Sequence, residues 1–289
     1  MFEREKNPLD LPKVLIKEEI ERALVEDLGR AGDLSTQATI ESHKRATAFF
    51  IARDDGVVCG LPHATVAFEC IDPQLDFERR VSDGTRVSAG TVIASVSGNA
   101  RPILSAERTA LNFLCHLSGI ATLTSDFVSQ IAQTKSRICC TRKTVPGLRA
   151  SQKYAVRCGG GSNHRFGLDD AILIKDNHIA VAGGITKSIL AAKSFAGHLV
   201  KIEIEVDTLE QFEEALSSGA DCILLDNFAT DLLYKAVRIN QGRATLEASG
   251  GVKLDTVKAI AESGVDYISS SQITMSASTF DIGLDIELG

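Results

Sequence analysis

The sequence predicts an α/β protein in which an N-terminal α+β domain is followed by a β/α barrel. A period predicts the barrel. Glu205 closes the run VKIEIE, Asp226 closes DCILLD, Ser249 follows ATLEA and Ser271 follows VDYISS, so polar residues recur at steps of 21, 23 and 22. Steps of that length fit one parallel strand plus its covering helix. The N-terminal domain shows a different pattern of alternating, β-branched runs broken by Asp-Gly and Ala-Gly pairs.

In chain order, the pattern predicts a helix from about Lys17 to Leu28, then strands and tight turns in RATAFFIARDDGVVCG and RVSDGTRVSAGTVIASVSG. A second helix is predicted from near Ser105 through AERTALNFLCHL to a stop at Gly119. The barrel grammar begins with the short apolar segment Ile138 to Cys140. It continues with the buried-strand pattern Ala171 to Ile174 before reaching the periodic strands.

Composition narrows the function. The chain has 289 residues, 44% hydrophobic and 24% charged, which suits one large or two ordinary folded domains. A net charge of -7 and a pI near 5.5 oppose nucleic-acid backbone binding. The N-terminal MFEREKNPLDLPKVL lacks an apolar core and no run of about eighteen apolar residues occurs, so neither export nor a membrane span is expected and the protein is expected in the cytoplasm. Seven cysteines without a C-x-x-C pair read as small buried residues, not as a disulfide framework or zinc site.

The charge is unevenly placed. From Arg137 to Lys175 there are eight basic and two acidic residues, which leaves -13 on the rest of the chain. Such a stretch is a focused anion site. In a β/α barrel the C-terminal strand ends form the active site. Arg142, Lys143 and Lys175 fall at such ends, as do Glu205 and Asp226. Lys175 alone reads either as a Schiff-base nucleophile or as a positive charge for a substrate anion; with Arg142, Lys143, His164 and Arg165 converging, the second reading is favoured. Guanidinium forks match carboxylates and phosphates, so several arginines imply a ligand with more than one negative group. Ser249-Gly250-Gly251 offers backbone amides to a phosphate-sized anion, and Gly159-Gly160-Gly161 offers close backbone approach.

The strings TRKTVPGLR, YAVRCGGGSNHRFGLDDAILIKDNHI, LLDNF and ASGG, with EDLGRAGDLST and AERTALNFLCHLSGIAT before them, closely resemble the quinolinate phosphoribosyltransferase family of type II phosphoribosyltransferases, from about Ala23 to Leu284. The resemblance implies transfer of phosphoribose from phosphoribosyl pyrophosphate to quinolinate with loss of CO2, giving nicotinate mononucleotide and pyrophosphate for NAD synthesis, with Mg2+ as cofactor. It implies that Arg142, Lys143, His164, Arg165 and Lys175 bind quinolinate. It places Glu205 and Asp226 near the ribose and Mg2+, directly or through water, and Ser249, Gly250 and Gly251 at a phosphate; Lys143, Lys175, Glu205 and Asp226 are then the catalytic set. Arg108 resembles an arginine that the family donates across a homodimer interface into the partner's site, in a dimer or a higher oligomer. The expected architecture is an α+β sandwich over residues 1–118, a β/α barrel, open or closed, over 119–275, and a C-terminal tail, 276–289, packing on the N-terminal domain.

The chain departs from the family's pattern at two positions. Ser271 stands where the family has glycine and Met275 where it has histidine. They are the argument for one other reading, a non-catalytic barrel; a second, a paralogue of the type found with molybdate-transport genes acting on a different pyridine acid, stands apart from them and is opposed by the strings GGGSNHR and IKDNH.

Overall fold

A computed structural model describes residues 11–288, so the first ten residues of the charged N-terminal segment lie outside the described residues. The chain divides into two compact units. The first comprises residues 1–125, 145–160 and 277–289, and the second 126–144 and 161–276.

The first unit opens with α1 (Lys13–Leu28) and α2 (Leu34–Thr39), whose N-cap Asp33 accepts a hydrogen bond from the Thr36 amide at 2.9 Å. There follow β1 (Arg45–Ala52), β2 (Gly56–Val57), α3 (Leu61–Ile71), β3 (Asp76–Arg79), β4 (Arg86–Val87) and β5 (Val92–Asn99). The helix α4 (Ala100–Gln130) then spans 31 residues. An antiparallel sheet orders its strands β12-β1-β5-β3, where β12 (Ile282–Leu288) is the last element of the chain. Along β1 every second residue is buried, as one covered sheet face requires. Phe50 on that face meets Phe68 of α3 edge-on, with ring centroids 5.9 Å apart.

Helix α4 corrects a sequence expectation. It begins at Ala100, five residues before Ser105, and passes through Gly119 to Gln130. Ile103, Ala106, Ala110, Leu114, Leu117 and Ala121 are fully buried and trace one helical stripe, which continues beyond the glycine. Gly119 is there for space: a Cβ would lie 2.0 Å from the Ser278 carbonyl oxygen.

The second unit carries a six-stranded parallel sheet ordered β6-β11-β10-β9-β8-β7. After β6 (Arg137–Cys139) comes α5 (Arg149–Cys158), which belongs to the first unit; then β7 (Ile172–Ile174), α6 (Asp176–Ala182) and α7 (Ile185–Phe195). The repeat proceeds through β8 (Ile202–Val206), α8 (Leu209–Ser217), β9 (Cys222–Asp226), α9 (Thr230–Asn240), β10 (Thr245–Ser249), α10 (Val257–Glu262), β11 (Tyr267–Ser269) and α11 (Gln272–Met275). Among the described residues no ladder joins β6 to β7, and beyond β6 there is only a single parallel bridge from Cys139 to Ser162. The barrel expectation thus resolves to an open parallel sheet.

Helix α5 is fixed to the first unit by polar contacts. Tyr154 donates to Asp83 at 2.9 Å, and the same carboxylate accepts the Gly60 and Leu61 amides at the start of α3. Ser151 donates to buried Glu19 and lies 2.8 Å from the Nε2 of buried His63. Gly159, which ends α5, leaves no room for a Cβ against the Ala121 carbonyl 2.4 Å away, and Gly160 adopts φ 87°. None of the seven cysteines is in a disulfide. Among the described residues no helix is long and apolar enough to cross a membrane.

Replacing Gly119 by Ala should destabilise the protein by about 1–3 kcal/mol, because the forced shift of the Ser278 backbone outweighs the roughly 1 kcal/mol gained in helix propensity. Chemical unfolding checks this; an unchanged or higher midpoint would show that the contact yields freely.

Candidate active site

Parallel pairing brings the carboxyl ends of the second unit's strands to one edge, where a cavity of about 740 Å³ opens. Ten of the eleven residues singled out from sequence line it: Arg142, Lys143, His164, Arg165, Lys175, Glu205, Asp226, Ser249, Gly250 and Gly251. Arg108, the eleventh, is an exposed residue of α4 in the first unit, well inside the helix and not in its first turn. The triple glycine at 159–161 does not line the cavity; its first two members serve the end of α5.

The strand period places the acids. In β8 the isoleucines and valine are buried while Glu203 and Glu205 point to the opposite face. Glu205 is ion-paired with the Lys175 Nζ across the β7–β8 pair. Asp226 ends β9 and accepts a hydrogen bond from the Asn227 Nδ2 at 2.7 Å. Asn227 has φ 55°, and its amide donates to the Ser249 carbonyl at 2.8 Å, which joins the β9 and β10 ends. Gly250 has φ 90°, and a Cβ there would meet the Asn227 Oδ1 at 2.2 Å, so this glycine is required twice over.

The basic side is built around two guanidinium groups. Burial and the neighbouring charge of Arg142 both work against the charged form of Arg165 and lower its pKa. Arg142 Nε and Arg165 Nε are each buried and have no hydrogen-bond partner. Arg165 donates instead through Nη1 to the Ala171 carbonyl at 3.1 Å. Two buried, cationic N–H donors without protein acceptors suit a ligand with oxygen atoms on more than one group. The segment is held from α11, where the Thr274 hydroxyl donates to the Lys143 carbonyl at 2.8 Å.

His164 lines the cavity and also has protein neighbours. Its Nδ1 accepts the Arg165 amide at 2.8 Å, and its Nε2 lies 2.9 Å from Glu203 and 3.8 Å from Glu247. Both ring nitrogens thus face protein. Glu247 is buried on β10, and burial, reinforced by the Glu203 charge, pushes its carboxyl up to about 7. The sequence reading did not single out Glu203 or Glu247. A signal existed: each is a carboxylate flanked by apolar residues, Ile202 and Ile204 or Leu246 and Ala248, inside a strand of a parallel sheet.

Metal-type ligands gather in two places among the described residues, at His164, Glu203 and Glu247, and at Cys59, Asp83 and Cys158 in the first unit. The second group is organised around Asp83, whose oxygens already take the α3 amides and the Tyr154 hydroxyl. Of the two departures from the family's pattern, Ser271 lines the cavity with φ -76°, an ordinary helical value that needs no glycine. Met275 is 54% exposed and is not among the lining residues.

Two family models cover nearly the whole chain: the quinolinate phosphoribosyl transferase N-terminal domain over residues 33–118 and its C-terminal domain over 120–285. The nicotinate-nucleotide pyrophosphorylase (carboxylating) of Mycobacterium leprae is 43% identical, with 93% of this chain and 96% of that protein aligned. The solved nicotinate-nucleotide pyrophosphorylase of Francisella tularensis superposes with a TM-score of 0.93 at 40% identity, covering 96% of this chain and 98% of that one. NadC from Streptococcus pyogenes gives 0.94 at 37% identity, covering 97% and 99%. With both domains matched in order, and with the basic and acidic residues of the motifs gathered at one cavity, the chain belongs to the quinolinate phosphoribosyltransferase family.

Proposed function

We propose that the chain transfers phosphoribose from phosphoribosyl pyrophosphate to quinolinate and releases CO2, forming nicotinate mononucleotide for NAD synthesis. The observation that carries this reading is the pair of buried Nε donors of Arg142 and Arg165 in a cavity whose other side is acidic. A ring dicarboxylate gives each guanidinium a partner, and Lys143 adds a further positive charge beside them.

The acidic side serves the ribose. Departure of pyrophosphate builds positive charge at the ribose C1, and Glu205 and Asp226 at neighbouring strand ends stabilise it electrostatically. The quinolinate ring nitrogen is the nucleophile. Once ribosylated it is cationic, so the electron pair left on the ring carbon as CO2 departs forms beside a positive charge and then takes a proton from water. No strong general base is needed, which accords with both His164 nitrogens being engaged by protein. Lys175, paired with Glu205, sits at the divide between the two halves. Gly250 and Gly251, both at positive φ, turn their loop into the cavity, where its amides hold a phosphate group.

Two hard oxygen donors, Glu205 and Asp226, fit an Mg2+ ion that takes few protein carboxylates and fills its remaining positions with water and substrate oxygens. When bound, it would neutralise charge on the leaving pyrophosphate. Exposed Arg108 completes the site from a second copy in a homodimer or larger assembly, as the family resemblance implies. The non-catalytic reading drew on Ser271 and Met275, and the ordinary backbone at one with the exposure of the other gives it no support.

CO2 release should require quinolinate, phosphoribosyl pyrophosphate and Mg2+ together; turnover of another pyridine acid with none of quinolinate would favour the paralogue. Arg142→Ala should lower kcat/KM for quinolinate by roughly 10- to 100-fold, the scale of losing one charged hydrogen-bonding group, as read by steady-state kinetics. Mixing Arg108→Ala and Lys175→Ala chains, each nearly inactive alone, should restore part of the activity. Intact mixed dimers without that recovery would place Arg108 outside the partner's site.

A further inference from the structure

Among the described residues five lysines and arginines line the cavity, and the reaction outlined above employs four of them, Arg142, Lys143 and Arg165 toward the dicarboxylate and Lys175 at the divide. The fifth is Lys253, two residues past Gly251. Its backbone is fixed: the amide donates to the Thr256 Oγ1 at 3.0 Å, and the carbonyl accepts the Val257 amide at 2.9 Å at the entry to α10. Val252, just before it, is buried, and its carbonyl accepts the Ser270 hydroxyl at 3.1 Å, which ties the loop to the end of β11. The Lys253 side chain is exposed, and among the described residues no acid pairs with it.

The loop after β10 needs such a charge. The amides of Gly250 and Gly251 offer hydrogen bonds but no net charge. The loop also starts beside an acid, because Ser249 is the register partner of Asp226 on β9. A phosphoryl dianion held there meets like charge, which a nearby cation has to offset. The neighbouring lining residues do not provide one: Asn227, Ser270, Ser271 and Gln272 are uncharged. Lys175 is engaged with Glu205 on β8, and β9 lies between that strand and β10. A lysine suits the task, as a point charge on a flexible stem that can follow a tetrahedral phosphoryl group.

We propose that Lys253 is a substrate-binding residue for the phosphoribosyl donor: its ammonium group pairs with a phosphoryl group held by the Gly250 and Gly251 amides and offsets the charge of Asp226. The inference rests on the function proposed above and adds to it the residue that makes this loop selective for a charged phosphoryl group. Arg142, Arg165 and Lys143 serve the dicarboxylate, so Lys253 acts on donor binding and leaves quinolinate binding alone. The donor carries phosphoryl groups of the same chemistry in two places, the 5-phosphate and the pyrophosphate.

Steady-state kinetics of the full chain with the donor varied is the test. Lys253→Ala should raise KM for phosphoribosyl pyrophosphate about tenfold, the lower end for a hydrogen bond to a charged group, with KM for quinolinate at saturating donor unchanged. Lys253→Arg should keep most of the wild-type affinity, and the difference between wild type and Lys253→Ala should shrink as salt is added. Isothermal titration of both chains with ribose 5-phosphate and with inorganic pyrophosphate then assigns the group, since the probe weakened by the substitution carries the phosphoryl group that Lys253 holds. An unchanged KM for the donor overturns the inference and leaves the proposed function standing, as does a KM for quinolinate that rises as much as that for the donor, an equal loss in Lys253→Arg, or neither probe being weakened. A wild-type chain that releases no CO2 from quinolinate and donor overturns the inference and the function together.

Discussion

Parallel strand pairing is the constraint on which the rest of the site depends. Because β6 to β11 all run the same way, every strand delivers its last residue to one edge, and side chains far apart in sequence meet there. The right-handed βα repeat makes this possible with short connections, and each covering helix seals the apolar face that the strands turn outward. The sheet needs no closure to do this. An open order, with β6 and β7 at the edges, still gathers residues from 141 to 276 around one cavity.

Charge then divides that cavity. Two guanidinium groups brought together in partial burial repel one another, and a protein holds such a pair only with compensating negative charge nearby. Asp170, and after it Glu203 on β8, provide it for Arg165. On the other side Glu205 and Asp226 stand at the tips of adjacent strands, with Lys175 and Asn227 holding one oxygen of each. Glu203 and Glu205 are two residues apart, so the pleat puts both on one face: the deeper serves the basic half and the outer the acidic half.

The first unit solves a different problem, that of holding a helix whose sequence lies inside the second unit's chain. Helix α5 is mostly polar in composition, yet Ser151, Gln152 and Lys153 are buried. Burial of that kind is tolerated only where partners exist. Glu19, His63, His116 and Asp83 supply several of them, drawn from α1, α3, α4 and the turn before β4. Burial still raises the Asp83 carboxyl despite three hydrogen bonds to it, so this contact is held by geometry at some electrostatic cost.

By itself the sequence determined the strand-helix period, the strand-end residues and the family, because these are local patterns: alternation within a strand, a fixed step between strands, and motif strings read in one direction. It also located ten cavity residues, since a residue at the carboxyl end of a parallel strand has only one edge to occupy. Only the tertiary structure decided the rest. Gly119 looked like a helix stop and is instead a point of close approach to Ser278, 159 positions away in sequence. The triple glycine looked like part of a ligand site and instead ends α5 against α4. His164 reads as a substrate ligand by motif, and that its nitrogens also meet the Arg165 amide and Glu203 was not legible in the strings. Glu247 drew no notice within its strand. The physical reason is the same in each case: steric room, hydrogen-bond partners and the energy of a buried charge are set by neighbours distant in the chain, and those neighbours exist only once it has folded.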